Sequence, residues 1–387
     1  MLFLFISEIL SIDYVCDAPL AHADPIANGK LISVSLFLRH GKRTPMDKWF
    51  PEELRGSWVC DSDGTSLAPR IYLSSTNNKT RRYFNQLDYT LVQYPPNCQP
   101  GELVVDGMRQ HHELGIYHQL YYGEQLRFIP KLIDPELLNL RSSYVERTFR
   151  SGESYMYGLY PPVQPGESIT FTTGTATVDP ISPSYDSCSD LMNDWNKFIS
   201  TPEYIARREN ARRIYKPIYD ALNRTFADVD WMFIGDLLAS YICNGQPLPT
   251  YITEEIIAQS KKDIAYYSYG LYNITRGNAG SGIWREYFRN TNSQLNGETK
   301  KKFWVYSGHD TTIMAMLSTL GIYKEELPPF RSHLAVELWE INNEKYVRLD
   351  YNGELVPIDF AGGNELVKYS EFEEKMKQYL VYCKEYE

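Results

Sequence analysis

Residues 35–45 read SLFLRHGKRTP and place several basic side chains directly behind an apolar run. The run starts at residue 31 as LISVSLFL. Its length and its strand-forming residues predict a strand that is buried on both faces. The basic residues therefore follow the carboxyl end of a core strand. In open α/β sheets, ligands bind beyond the carboxyl ends of parallel strands, so this stretch predicts a binding site at the sheet edge.

Two later segments repeat this order of strand, charged residue and helix. LLNLRSS, at residues 137–143, contains Arg141 near its end and runs into the helical pattern VERTFRSGESYMYGLYPP. KKFWVYSGHDTTIMAMLSTLG leads to His309 and Asp310 before its own helical pattern. DGMRQHHELGIYHQLYYG, from Asp106 on, predicts a further amphipathic helix. Together these units predict an α/β fold whose central, mostly parallel sheet is flanked by helices, with the strand ends converging on one cleft.

The remaining chain shows two other types of pattern. The second unit is followed by a connection rich in Pro, Ser, Thr and Gly, and then by helix-like patterns such as LMNDWNKFI. Near the C-terminus, HLAVELWEINNEKYVRLDYNGELVPI alternates with a period of two, which predicts antiparallel hairpin strands. We therefore expect an α/β domain formed by residues 30–160 and 291–387, and a mainly helical domain at residues 161–290 that covers the cleft.

The overall charge and the distribution of apolar residues exclude two classes of partner. The 387-residue chain has a formal net charge of −10, and it contains no Lys/Arg stripe of the kind that neutralises a nucleic-acid backbone. Beyond the N-terminus, no apolar stretch reaches the roughly 18 residues that a membrane-spanning helix needs. Any positively charged site must therefore be local.

The N-terminus and the cysteines indicate an oxidising compartment. The apolar run MLFLFISEIL is followed by AHAD, so residues 1–29 are interpreted as a signal peptide, cleaved after Ala23, and a lead segment. Three glycosylation sequons begin at Asn78, Asn223 and Asn273. The six cysteines lack metal-binding spacing and predict disulfides or buried thiols. Because cleavage after Ala23 would remove Cys16, at least one of the other five cysteines is expected to be unpaired.

The pattern R-H-G-x-R-x-P carries the chemistry of the opening stretch. Arg39 and Arg43 can both bind one phosphate, because guanidinium groups match its oxygens bidentately. His40 lies between them in the sequence, and a neutral imidazole nitrogen aimed at phosphorus is a competent nucleophile. Gly41 allows the backbone to turn sharply. The alternative interpretation is a strand end with solvated charges and a capping histidine.

Four blocks occur in order along the chain: LFLRHGKRTP, GELVVDGMRQHHELG, LRSSYVERTFRSGESYMYGLYPP, and VYSGHDTTI with LPPF. Together they resemble the histidine acid phosphatases, the group that includes the prostatic and lysosomal acid phosphatases. The similarity covers most of the chain. It implies a phosphoglycerate mutase-like α/β fold with a helical second domain, and an acid phosphatase that hydrolyses phosphomonoesters through a phosphohistidine intermediate.

The resemblance assigns a role to each residue that matches a family motif. His40 matches the nucleophile, and Asp310 matches the proton donor to the leaving alcohol. The residues that match the phosphate site are Arg39, Arg43, Arg141 and His309. His112 aligns with a family histidine near the site. Three cations suit the charge on the equatorial oxygens of a transferring phosphoryl group, so no metal or other cofactor is expected.

Other titratable residues near these motifs are interpreted as structural. By helical spacing, Arg147 and Arg150 are expected on the outer face of their helix or in ion pairs with neighbouring glutamates. Lys42 occupies the variable position of the motif and is excluded from the catalytic set. His118 and His333 belong to no motif and are expected to have structural roles.

The resemblance also implies how some of the cysteines are paired. Cys188 and Cys383 match a disulfide of the family. Cys243 matches a family cysteine whose partner is missing here, so it is expected to be free or differently paired. Another two cysteines, Cys60 and Cys98, could close a local loop that the resemblance does not cover.

Three alternative functions remain open. A phytase or inositol-polyphosphate phosphatase would share the core but need further basic residues around the pocket. A phosphoglycerate mutase-like transferase would share the nucleophile, and a non-catalytic phosphate-binding protein would share the fold. We expect a phosphorylated small molecule or peptide as substrate, and a secreted, lysosomal or vacuolar location. A homodimer is also expected, because family members often dimerise.

Overall fold

The structure is a computed structural model that describes residues 14–46, 57–60, 98–163, 168–175, 178–183, 188–227, 231–273, 277–322 and 326–384. The apolar N-terminal run and the sequon at Asn78 lie outside these residues. Within them, no helix is both long and apolar enough to cross a membrane.

A mixed eight-stranded sheet forms the centre of the fold. Its strands are β1 (Lys30–Arg39), β2 (Leu138–Ser142), β3 (Thr172–Thr173), β4 (Phe303–Gly308), β5 (His333–Ile341), β6 (Glu344–Tyr351), β7 (Glu354–Leu355) and β8 (Leu366–Lys368). The order is β3-β2-β4-β1-β5-β6-β7, with β8 also paired to β6. The four strands from β3 to β1 run parallel, whereas β5 to β8 pair antiparallel. The predicted fold class is therefore confirmed.

Ten α-helices accompany the sheet in the described part of the chain. They are α1 (Val105–His118), α2 (Glu146–Leu159), α3 (Ser189–Ile199), α4 (Pro202–Ile214), α5 (Lys216–Ala221), α6 (Trp231–Cys243), α7 (Glu254–Asn273), α8 (Ser281–Leu295), α9 (Asp310–Thr319) and α10 (Tyr369–Met376). A π-helical turn, Gln119–Gln125, continues α1. Among the residues that the structure describes, the elements from α3 to α7 follow one another without an intervening strand, as the helical patterns predict.

Strand β1 is buried from Ser33 to Arg39 because both faces of the sheet are covered. Leu36 and Leu38 join an apolar cluster with α1 and α2 on one face. On the other face, the ring of Phe37 stacks on Tyr306 with a centroid distance of 4.5 Å, and this cluster continues into α8 and α9. A strand that contacts helices on both sides reads as a continuous apolar run, which is why LISVSLFL shows no alternation.

The six cysteines form three disulfides. Cys188–Cys383 confirms the pair that the resemblance implies, and Cys60–Cys98 closes the local loop. The remaining disulfide, Cys16–Cys243, gives Cys243 a partner other than the family's, which is one of the two outcomes expected for it. The expectation that at least one cysteine is unpaired was wrong. The expectation failed because it assumed cleavage after Ala23.

The lead segment packs against the sheet, which explains this disulfide. The backbone N–H of Ala18 donates to the carbonyl of Phe330 at 2.9 Å, and that of Ala23 donates to the Asp350 carboxylate at 2.7 Å. Cleavage after Ala23 would remove both of these contacts together with Cys16. The structure of the full chain therefore uses residues that the predicted cleavage would remove.

Candidate active site

The ends of two neighbouring parallel strands bring the two motif histidines together. Arg39, the last residue of β1, lies opposite Gly308, the last residue of β4. His40 and His309 are the next residues of their strands, and their rings are 5.7 Å apart between centroids in an edge-to-face arrangement. The two segments therefore meet at one edge of the sheet, as the sequence predicts.

The hydrogen bond of His40 determines which ring nitrogen is free to react. Nδ1 lies 2.9 Å from the carbonyl oxygen of Gly41. Since a carbonyl only accepts hydrogen bonds, Nδ1 carries the proton in the neutral ring. Nε2 then holds the lone pair.

His40 is almost completely buried and stays unprotonated in acid. Burial lowers its pKa well below the ordinary value, and the charges of Arg147, Arg43, Arg39 and His309 lower it further. A neutral ring presents its lone pair even in an acidic medium.

Two arginines from the opening stretch are held by carboxylates. The Nη2 atom of Arg39 lies 2.9 Å from Oδ2 of Asp310, and its guanidinium carbon lies 4.4 Å above the ring of Phe330. Arg43 contacts both oxygens of Asp236, at 2.5 and 3.3 Å. Neither arginine can rotate freely, so both are preorganised for an anion.

Arg141 and Arg147 differ in their ionic partners in the structure. Arg141 forms salt bridges with Glu286 at 2.5 Å and with Asp179 at 3.0 Å, so its charge is compensated within the protein. Arg147 has no salt bridge with any described residue. Of all the charged groups around His40, Arg147 lowers the His40 pKa most.

Arg147 is a partly buried cation whose own pKa reflects this position. Burial and the nearby Arg43 lower the Arg147 pKa to about 9, against a smaller opposing effect of Asp310 and Asp236. The guanidinium is still charged at neutral and acidic pH. A buried charge without a carboxylate partner is costly unless an anion binds it.

Asp310 is the carboxyl group that is paired with Arg39. Burial raises its pKa, but the charges of Arg39, Arg43 and His309 together outweigh burial and hold the pKa below its ordinary value. Asp310 is therefore ionised in the free protein. Since Asp310 and Asp236 are both paired with arginines, the described part of the site forms an anion pocket rather than a cation site.

Polar contacts fix the second motif histidine and the loop around the first. Nε2 of His309 lies 2.9 Å from the hydroxyl oxygen of Ser143, which follows β2. Gly41 approaches α1 so closely that a Cβ atom would lie 2.3 Å from the carbonyl oxygen of Gly107. Only glycine fits there. Lys42 turns away and pairs with Asp17 at 3.2 Å.

Sequence reasoning missed two supporting residues. His111, rather than His112, contacts the site: its Nε2 lies 3.0 Å from the backbone oxygen of Arg39, and it is fully buried. His112 is only half-buried. Asp236, the partner of Arg43, lies on α6 and so comes from the helical region. No local signal marks Asp236, because it lies 193 residues from Arg43.

Comparisons with known proteins agree with this geometry. A family model described as the histidine phosphatase superfamily (branch 2) matches residues 30–352. Counting factor 60 of Dictyostelium discoideum is 25% identical over 355 residues, which cover 88% of this chain and 84% of that protein. Prostatic acid phosphatase of Rattus norvegicus is 27% identical over 274 residues, covering 66% of this chain and 70% of that protein.

A solved structure is similar to this chain in its fold. The apo form of Hafnia alvei phytase aligns with a TM-score of 0.64 at 14% identity, over 92% of this chain and 98% of that chain. The matched family region contains the loop with His40 and the segment with His309 and Asp310. The chain therefore belongs to branch 2 of the histidine phosphatase superfamily.

Proposed function

We propose that this protein is an acid phosphatase that hydrolyses phosphomonoesters through a phosphohistidine intermediate. One observation carries the proposal. A buried, neutral His40 with its lone pair on Nε2 lies among arginine charges that the protein does not fully compensate. This combination supplies a nucleophile and a binding site for the phosphoryl oxygens, which together are the main requirements of phosphoryl transfer.

We assign phosphate binding to Arg39, Arg43 and Arg147. Arg147 replaces Arg141 in the set that the resemblance implies, because Arg141 already binds two carboxylates and Arg147 binds none in the described chain. Arg147 lies in the first turn of α2, whose N-terminus adds a favourable dipole for an anion. His309 lines the same pocket.

The reaction then proceeds in two balanced steps. In the first, Nε2 of His40 forms a bond to phosphorus while the bond between phosphorus and the ester oxygen breaks, and the leaving oxygen takes a proton delivered by Asp310. In the second, water forms a bond to phosphorus while the bond between phosphorus and Nε2 of His40 breaks, and a proton of the water passes to Asp310. Inorganic phosphate then leaves with that proton, which restores neutral His40 and ionised Asp310. Three cations stabilise the equatorial oxygens in both steps.

The protonation states of the site and of the substrate predict the pH range in which activity is lost. Asp310 is ionised in the free enzyme, so the proton that it delivers must enter with the substrate monoanion, whose second pKa is about 6. The monoanion fraction falls above that pH, whereas His40 stays neutral below it because its pKa is lowered. Activity should therefore be retained in acid and decline as the pH rises through about 6.

A substrate panel across pH 4–8 tests the proposed function. It compares alkyl and aryl monoesters, nucleotides, phosphotyrosine, lysophosphatidate and phytate. We expect the monoesters to have the highest kcat/KM near pH 5, with a roughly tenfold decline per pH unit above about 6. A clear preference for phytate would support the inositol-phosphate alternative. A chain that binds phosphate but turns over none of these esters would be a binding protein.

Arg147→Met and Arg141→Met are expected to fail in different ways. The Arg147 change removes transition-state stabilisation and should lower kcat/KM by about 10²-fold, with little loss of stability. The Arg141 change leaves Asp179 and Glu286 buried without their cation, so it should lower the free energy of unfolding by about 3–5 kcal/mol. Steady-state kinetics and urea unfolding measure the two effects. The opposite distribution would restore Arg141 to the phosphate site.

We also propose that the protein works outside the cytosol. Three disulfides, two of which close sequence separations of 227 and 195 residues, require an oxidising environment to form and persist. An acid optimum would suit a secreted protein or one in an acidic lumen.

A further inference from the structure

Three histidines from distant parts of the chain meet behind the active site. His22 belongs to the lead segment, His118 ends α1, and His333 begins β5. Their ring centroids are 4.7 to 5.3 Å apart, and one nitrogen of each ring lies within 4.8 Å of one nitrogen of the other two. The side chain of His22 and the whole of the other two residues are fully buried.

Each ring is oriented by a hydrogen bond through one nitrogen. Nδ1 of His22 lies 3.0 Å from the Asp350 carboxylate, and Nε2 of His333 lies 3.0 Å from the carbonyl of Ala21. Nδ1 of His118 lies 2.9 Å from the hydroxyl of Tyr155. Carboxylate and carbonyl oxygens only accept, so the first two rings carry their protons on the bonded nitrogens.

The other nitrogen of each ring is buried and has no hydrogen-bond partner among the described residues. These atoms are Nε2 of His22, Nε2 of His118 and Nδ1 of His333. In at least two of the rings the free atom is a bare lone pair. Buried polar atoms in a folded protein normally have a partner, and neighbouring imidazole lone pairs suit a bound cation.

We propose that His22, His118 and His333 bind a divalent transition metal, with Zn²⁺ as the reference ion. Neutral imidazole nitrogen is a preferred zinc ligand. Asp350, Ala21 and Tyr155 hold the opposite nitrogens, which is the arrangement that orients metal-bound histidines. The site is distinct from the anion pocket at His40.

The distances suit an ion better than a shared proton. Tetrahedral zinc binds nitrogen at about 2.0–2.1 Å, which places its ligands about 3.4 Å from one another. One nitrogen of each ring already lies within 4.8 Å of one nitrogen of the other two, so a bound ion would have to draw the rings closer together.

A metal at this position would join three segments that no described disulfide connects to one another. It would attach the lead segment to the end of α1 and the start of β5. Metal that binds only the folded chain stabilises it, so the cluster should raise the resistance to unfolding without taking part in catalysis.

Metal titration of the full chain tests the proposal. The protein is stripped with dipicolinate, dialysed and titrated with Zn²⁺ by calorimetry, and with Co²⁺ by visible absorption. We expect one Zn²⁺ per chain, visible bands of a four- or five-coordinate Co²⁺ site, and a higher Tm when the metal is restored. Turnover of an aryl phosphate at pH 5 should be the same before and after stripping.

Variants locate the binding site. His22→Gln and His333→Gln should each weaken Zn²⁺ binding by about 100-fold or more and abolish the rise in Tm. His112→Gln is the matched control, because it removes a histidine from α1 outside the cluster and should leave Zn²⁺ binding unchanged. Circular dichroism shows whether the variants fold. The Co²⁺ spectrum of the wild-type chain tests the metal site even if a variant does not fold. A wild-type chain that binds Zn²⁺ no more tightly than folded His22→Gln would overturn the proposal.

Discussion

Replacing His40 by alanine is expected to lower hydrolysis of p-nitrophenyl phosphate at pH 5 by at least about 10⁴-fold. Nε2 of His40 is the buried, neutral nucleophile that we assign to the site of Arg39, Arg43 and Arg147. Without it, the arginines still bind phosphate but no covalent intermediate forms. Steady-state kinetics measure the loss, and circular dichroism with Tm shows that the fold persists.

Two further measurements make this test specific. Lys42→Ala changes the same loop, but Lys42 pairs with Asp17 and lies outside the pocket, so this control should keep wild-type turnover. Rapid quenching of a reaction with ³²P-labelled substrate should trap a base-stable, acid-labile phosphoryl group on the wild-type chain and none on His40→Ala. Turnover of His40→Ala near the wild-type rate would rule out the phosphohistidine mechanism.

Asp310→Asn is expected to impair the enzyme in a manner that depends on the leaving group. For an alkyl phosphate, loss of the acid should lower kcat by about 10³-fold, because an alkoxide is a poor leaving group without a proton. For p-nitrophenyl phosphate the loss should be about tenfold or less, because nitrophenolate leaves without help. The measurement is kcat for a series of monoesters whose leaving-group pKa values differ.

Asp236→Asn is the matched control for this prediction. Asp236 is also a carboxylate paired with a site arginine, Arg43, but it is not assigned to proton transfer. Its loss should affect alkyl and aryl substrates equally, through the position of Arg43. If Asp310→Asn also gave equal losses, Asp310 would be a partner of Arg39 and not the acid.

The fold was predictable from the sequence because its signals are local. LISVSLFL is uniformly apolar because β1 is covered on both faces, and the paired Asn-Asn and Asn-Gly positions adopt the positive φ angles of tight hairpin turns. The R-H-G-x-R-x-P motif likewise keeps His40 and its two arginines within one loop. These features need no information about distant residues.

The third arginine of the site depends on packing that the local sequence does not show. Arg141 and Arg147 are six residues apart: Arg141 lies near the end of a predicted strand, and Arg147 lies in the helical pattern that follows it. Helical spacing suggests that Arg147 faces outward, but it ignores the direction in which the helix leaves the sheet. Asp179 and Glu286, which compensate Arg141, come from a later connection and from α8. Their positions depend on the packed fold.

The sequence by itself determined the order of strands and helices, the chemical type of the active site and the pair of segments that forms it. Only the tertiary structure decided the partner of Cys243, the compensation of Arg141 and the meeting of His22, His118 and His333. The physical reason is the range of the interactions. Hydrophobic periodicity and loop motifs act over a few residues, whereas disulfides, buried ion pairs and histidine clusters depend on which distant side chains the folded core brings into contact.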